Sequence, residues 1–444
     1  MPKLAGTSDN FEREWRNNSH DQKGKRRESI SNNLLSVCIV YSLAFQLNTQ
    51  SHISTTPTSN YNFEMPEARN IPVELSGHRF LEFDSLRGLA AATVVVGHLM
   101  YLYRPVTPIA RWLYLLPSNF LLAGGSAVIL FFTLSGFVLT LPYKRSKHAS
   151  YLAYLVKRFC RLYLPFAAAL LLTVFIRAHS PSPVVIGQDW LDGTWNTPVR
   201  AHDVFYQLTG VGNFNPYLFN GVYWTLAVEM RISLIMPAIA WLALRMRFSI
   251  GLAASLLTAG FLTWLAPHVS HRLIPVTLRY ACLFLNGALF ATNFDLVGAW
   301  WRNRSSVVRS SLTIAAVLVF GYASEAVHTY SLLQQALSLA SIVLMLNASQ
   351  SRAIRHWLHR PAILHAGAIS YSLYLTHLIV LLWIVHTFWG RMHALYVIPG
   401  FILASFILAE FFHYSVEKPT IKLGRFLERL VLLRSLVKPP SLVR

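Results

Sequence analysis

The sequence predicts an all-α, polytopic membrane bundle of about ten transmembrane helices, and three observations carry that prediction. Of its 444 residues, 54% are hydrophobic and only 13% charged, with a mean hydropathy of +0.42, which ordinary soluble domains do not show. From residue 86 onward apolar windows of ~17–23 residues recur, each near the ~20 a helix needs to cross a bilayer. They fall at 86–104, 121–142, 160–179, 222–243, 249–267, 273–293, 307–323, 330–348, 367–388 and 394–415. With the N-terminus inside, this topology puts 31 of the 39 Lys and Arg residues in inner segments and 7 in outer ones, leaving Arg231 within a span. The formal net charge of +20 therefore reports loop topology rather than nucleic-acid binding, and both termini are expected in the cytoplasm.

Residues 1–78 are rich in Ser, Asn, Lys and Arg and broken by Pro57, Pro66 and Pro72, which reads as a disordered basic tail. Within it, residues 34–47 are apolar but too short to span, and they follow Lys23, Lys25, Arg26 and Arg27 as the core of a signal peptide does. Cleavage there would invert every later loop against its charge. Met65 is an alternative start. The membrane domain is expected over 79–417.

The first apolar run opens F-D-S-L-R-G-L-A-A-A-T-V-V-V-G-H, residues 83–98. On a helix, Arg87 and His98 return to nearly the same face ~16 Å apart, with Asp84 one turn before Arg87. Charged and polar groups so placed are costly to insert and mark a functional site, although an intramembrane His also serves as a plain interhelical hydrogen-bonder. The second run, G-G-S-A-V-I-L-F-F-T-L-S-G-F, carries Gly124, Gly125, Ser126, Ser135 and Gly136, which permit close helix approach or a break facing a cavity. The one long outer segment, 180–221, has no clear periodicity. Its Trp190, Trp195 and Tyr206 suit stacking on a sugar, or anchoring at the interface. At the C-terminus, 418–444 is a basic amphipathic tail, with Lys422, Arg425 and Arg429 on one helical face and Leu423, Phe426, Leu427 and Leu430 largely on the other, expected to lie on the inner leaflet.

Depth singles out the candidates for chemistry. His98 lies ~18 Å from the inner boundary and Glu229, in the inward-running fourth span, ~20 Å. A carboxylate at that depth can orient the imidazole and stabilise its protonated form, as a base that takes a hydroxyl proton requires. Arg231 is the competing partner for Glu229, but residues two apart on a helix do not face each other. His377 reaches ~15 Å, as a site residue or an interhelical hydrogen-bonder, with Tyr371 and Tyr374 nearer the cytoplasm along a possible channel. At the inner boundary Arg87, Arg158 and Arg161 can converge on phosphate, which guanidinium forks fit, whereas Lys157 is better explained by loop topology. Cys38, Cys160 and Cys282 are widely spaced and no C-x-x-C, H-E-x-x-H or Gly-rich phosphate loop occurs, so no disulfide framework, metal site or P-loop hydrolysis is suggested.

Six strings stand in order along the chain: Arg87-x10-His98, F-F-T-L-S-G-F (131–137), K-R-F-C-R-L-Y-L-P (157–165), W-T-L-A-V-E (224–229), I-S-Y-S-L-Y-L-T-H (369–377) and V-E-K-P (416–419). Together they resemble the acyltransferase 3 family of integral membrane O-acyltransferases, over about residues 79–425. The resemblance implies transfer of an acyl group, commonly acetyl, from cytoplasmic acyl-CoA to a hydroxyl of a glycan, glycolipid or other small acceptor. Acyl-CoA, most simply acetyl-CoA, is then a co-substrate, with no bound cofactor. Polysaccharide O-acetylation at a bacterial inner membrane is the setting that fits best. By resemblance His98 is the catalytic histidine, Arg87 its motif partner, and Arg158 and Arg161 contacts for the coenzyme's phosphates. On the residues themselves, Glu229 and Asp84 join His98 as catalytic candidates, with Ser135, Tyr371 and His377 lining the site. His98 either deprotonates the acceptor or carries the acyl group transiently, and both routes stay open. Some relatives append an extracytoplasmic esterase-like domain, which is not expected from the short segment after the last run. The competing class is a polysaccharide or lipid transporter using Arg87, His98 and Glu229 as a proton relay, against which neither half of the chain repeats the other.

Overall fold

A computed structural model describes residues 80–103, 117–145, 150–180, 184–186, 189–212, 215–269, 273–324 and 331–437. Among them every regular element is helical. The N-terminal tail, including residues 34–47 and Met65, and residues 438–444 lie outside the described residues. The principal helices are α1 (Leu81–Tyr103), α2 (Gly124–Arg145), α3 (Tyr151–Ala178), α4 (Tyr223–Arg245), α5 (Phe248–Leu265), α6 (Leu273–Thr292), α7 (Phe294–Arg302), α8 (Ser306–Tyr322), α9 (Ser331–Gln350), α10 (Arg352–Leu358), α11 (Pro361–Phe388), α12 (Ala394–Phe412) and α13 (Lys418–Val437).

Nine helices among the described residues are long and apolar enough to cross a membrane, or ten if α7 and α8, bent by 120° at their junction, form one span. The seventh expected run is the point of difference. Alone, α8 is 17 residues long, ~26 Å of helix against a hydrocarbon core of ~30 Å. A second difference is that the third span starts at Tyr151 rather than residue 160. A third lies at the C-terminus, where α12 runs on through a π turn into α13, so that Ala394–Leu433 is one helical stretch of 40 residues. Instead of resting only on lipid, α13 docks on the first turns of α3. Lys157 Nζ lies 3.0 Å from Glu428, and Gly424 packs against Cys160, while Leu423, Phe426 and Leu430 stay exposed.

Small residues bring the central helices together, as their placement predicts. Gly88 and Gly367 hold α1 and α11 so close that a Cβ on either would overlap the other helix's backbone. Beside that contact Ser85 Oγ donates to the Leu358 carbonyl at 2.7 Å. Likewise Gly136 abuts the Phe284 backbone and Gly287 the Thr133 carbonyl, which seats α2 on α6 without breaking α2. Buried polar groups there pair with one another, because lipid supplies no partners: Thr133 with Ser338 at 2.9 Å and Asn286 with Gln335 at 2.7 Å. Lys144 reaches the Ala291 carbonyl, Thr292 the Ala243 carbonyl and Arg302 Gln350, so the ends of α2, α4, α6, α7 and α9 gather at one basic end of the bundle.

The segment after α3 carries two short helices, Asp189–Asp192 and Ala201–Leu208. Buried Arg177 ties it down, donating to the carbonyls of Leu218 and Thr197. The expectation that Trp195 stacks on an acceptor is not met. It is 7% exposed with φ 64°, donates Nε1 to the Phe219 carbonyl at 2.8 Å, and packs on His386. Tyr206 is exposed beside His202, and the Trp190 side chain lies outside the described residues.

Candidate active site

Two prolines shape the site before any charge does. Proline lacks an N–H and its ring clashes with the carbonyl four residues back, which a widened turn relieves. Ahead of Pro165 the chain forms a π turn at Phe159–Tyr163, with the Leu164 N–H bonded to the Phe159 carbonyl five residues back. Ahead of Pro419 it does the same at His413–Glu417, with Lys418 N–H bonded to the His413 carbonyl. The strings K-R-F-C-R-L-Y-L-P and V-E-K-P thus each end on a proline that rewinds the helix and re-aims the residues before it, Arg161 in one case and Glu417 in the other.

Arg161 lines an open cleft between the helices. Arg87 of α1, Ser135 of α2, Arg158 of α3, Thr225 and Glu229 of α4, and Ser370, Tyr371 and Tyr374 of α11 share its wall with Phe131, Phe132 and other apolar groups. Three guanidinium groups and one carboxylate leave this lining with a formal surplus of two positive charges. Arg158 Nη2 lies 2.9 Å from Glu229 Oε1, and its Nε and Nη2 donate to Ser233 Oγ at 3.2 and 3.0 Å. The Ser233 hydroxyl donates in turn to the Glu229 carbonyl at 2.7 Å, which makes the clamp a closed network. Arg87 Nη1 lies 3.6 Å from Asp84, which does not line the cavity.

The depth ruler sets Arg158 and Arg161 at the membrane edge and Glu229 ~20 Å inside, yet Arg158 and Glu229 touch. The early start of α3 is the reason. Tyr151 and Tyr154 donate to the carbonyls of Leu234 and Ser233, which registers the first turns of α3 against the middle of α4 and carries the arginines two to three turns into the helix.

Glu229 is expected to orient His98, but its carboxylate is held by Arg158, and His377 meets the His98 ring. His98 Nδ1 lies 2.9 Å from the Val94 carbonyl, and His377 Nδ1 lies 3.0 Å from the Leu373 carbonyl. A carbonyl only accepts, so each Nδ1 carries a proton in the neutral ring. The lone pair of His377 then sits on Nε2, 3.3 Å from His98 Nδ1, and accepts from it, which places the basic lone pair of His98 on Nε2. Neither imidazole lines the cavity. Tyr374 connects the two regions: it stands in the cavity wall, its hydroxyl 2.8 Å from Thr225 Oγ1 and its ring 6.0 Å from that of His377.

The structure therefore gathers Arg87, Arg158, Arg161, Glu229, Ser135 and Tyr371 at one cavity, and His98 with His377 beside it. Sequence reasoning assigned no role to Glu417, although it stands in V-E-K-P. It is buried, bonded by Ser372 Oγ at 2.5 Å and His413 Nδ1 at 2.8 Å. The acid two residues before a motif proline was the available signal.

Against known families, the model of an acyltransferase domain, Acyl_transf_3, matches residues 80–411. No curated protein and no solved structure matches the chain.

Proposed function

The chain belongs to the acyltransferase 3 family, and from that premise we propose that it is a membrane O-acyltransferase moving an acyl group, acetyl first among candidates, from cytoplasmic acyl-CoA to a hydroxyl of a glycan or glycolipid acceptor. The observation that carries this reading is the convergence of Arg87, Arg158 and Arg161 on one cavity whose wall, through Tyr374, adjoins the His98–His377 pair. Guanidinium groups in a partly dehydrated cleft suit the phosphates of coenzyme A. The basic end of the bundle then faces the cytoplasm, where acyl-CoA is made, and both termini lie there.

In the proposed step His98 Nε2 takes the acceptor hydroxyl proton as the oxygen attacks the thioester carbonyl. The O–C bond forms, the C–S bond breaks, and the departing thiolate collects the proton from Nε2. Meanwhile Nδ1–H stays donated to the Val94 carbonyl and His377 Nε2, two acceptors that stabilise the transient imidazolium. Glu229 acts by fixing the Arg158 fork and Asp84 by steadying Arg87, so both position the donor site. The Tyr374 ring must turn for the acyl end to reach His98.

The test is thiol release from acetyl-CoA by purified protein, with glycan or glycolipid acceptors, for the wild type and His98→Ala. A loss of about 10²–10⁴-fold in the variant is expected for removal of a general base. Unchanged thioester consumption in the variant, or no turnover by the wild type with any acceptor, would overturn the reading.

A further inference from the structure

A second cavity, remote from the donor cleft, lies where α8 and α9 meet the bent α7–α8 junction. It is an open groove with a volume of about 500 Å³, and its lining includes Arg302 and Arg309 but no carboxylate. Arg302 Nη1 donates to Gln350 Oε1 at 2.6 Å, and Arg309 Nη1 donates to the Arg302 carbonyl at 3.4 Å, so both side chains are tethered by neutral groups rather than by carboxylates. Each guanidinium has five N–H donors, far more than these contacts use.

The remaining question is what such a cationic groove holds, and α8 answers it with one row of side chains. Ser306, Ser310 and Ile314 follow one another at intervals of four along the cavity wall, and Leu318 continues the row beyond it. Ile314 and Leu318 are 60% and 44% exposed. Along this row the surface changes from hydroxyl to hydrocarbon as it leaves the arginines, which is the polarity profile of a phospholipid from headgroup to acyl chain. A free phosphate has no use for the apolar continuation. At the other side of the bend, α7 turns its exposed Leu296 outward at the basic end of the bundle, which the proposed orientation sets at the cytoplasmic headgroups. Basic pockets between helices at such a level are suited to anionic headgroups.

We propose that the Arg302–Arg309 groove binds the phosphate of an anionic glycerophospholipid, with one acyl chain laid along Ile314 and Leu318. The full-length protein in detergent would be titrated with phosphatidylglycerol, phosphatidylcholine or inorganic phosphate, following bound lipid by native mass spectrometry and stability by thermal unfolding. Preference for phosphatidylglycerol over phosphatidylcholine is expected. The affinity should fall about 30-fold in R302Q/R309Q, from ~1 kcal/mol per surface cation at ~1.4 kcal/mol per tenfold. Ser310→Glu places a like charge at an exposed position and should weaken phosphatidylglycerol binding with no loss of fold, so it carries the test if the double variant is unstable. Equal binding of the two lipids, or unaltered phosphatidylglycerol affinity in a folded variant, would overturn the proposal. So would inorganic phosphate, but not phosphatidylglycerol, stabilising the wild type and not R302Q/R309Q, which would make the groove a free-anion site.

Discussion

Replacing Arg158 by Met keeps an unbranched side chain and removes the guanidinium. Three contacts disappear, one to Glu229 at 2.9 Å and two to Ser233 at 3.0 and 3.2 Å, and the Glu229 carboxylate is left without that partner. Breaking a fully buried ion pair from one side costs about 3–5 kcal/mol, whereas an exposed pair contributes about 0–1 kcal/mol. The Arg158 and Glu229 side chains are 11% and 19% exposed in the wall of an open cavity. An intermediate cost of about 2 kcal/mol follows, which lowers Tm by roughly 4 °C. Most of that cost is the stranded carboxylate, so R158M/E229Q should recover most of the lost Tm. Donor binding should not recover with it. Charge-assisted hydrogen bonds contribute about 1.5–3 kcal/mol, so KM for acyl-CoA should rise about 10–100-fold in both variants. Thermal unfolding followed by tryptophan fluorescence, with initial rates across acyl-CoA concentrations, reads both quantities. A double variant no more stable than R158M, or one in which E229Q restores KM, would refute the argument that Glu229 acts through Arg158.

Two further substitutions separate the imidazole pair from the donor cleft. His377→Phe removes the acceptor for His98 Nδ1–H and should lower kcat about 10–100-fold at unchanged KM, with partial rescue by His377→Gln, whose carbonyl can accept. A wild-type kcat in H377F, measured at saturating acyl-CoA, would remove His377 from the mechanism. Pro165→Ala restores the missing N–H and lets the π turn at Phe159–Tyr163 relax to a regular α-helix. Arg161 should then swing away from the cavity and KM for acyl-CoA rise about tenfold at unchanged or higher Tm. An unchanged KM would break the link between that proline and the donor site.

Which features were legible in the sequence depended on whether they are local. A membrane helix is solvated along its own length and satisfies its own backbone, so hydropathy windows found the spans one at a time. The shared face of Arg87 and His98 followed from helical period alone, and the six ordered strings pointed to the family. Windows failed where a helix is not uniformly apolar: the first turns of α3 carry Lys157 and Arg158, and the α7–α8 stretch is interrupted by Arg302, Arg304 and Arg309.

What only the tertiary structure decided was azimuth. Counting residues gives a side chain's height only where the start of its helix is known, and at one height His98, Glu229 and His377 are equivalent candidates to meet. The Gly88–Gly367 contact breaks that tie, because only glycines let the α1 and α11 backbones come so close, and their approach brings His377 to His98. Likewise Tyr151 and Tyr154 register α3 against α4 and hand Glu229 to Arg158. The sequence by itself determined a membrane bundle that carries costly polar groups within its apolar runs. Which of those groups touch was settled by interhelical packing, where side chains distant in sequence compete for the same space.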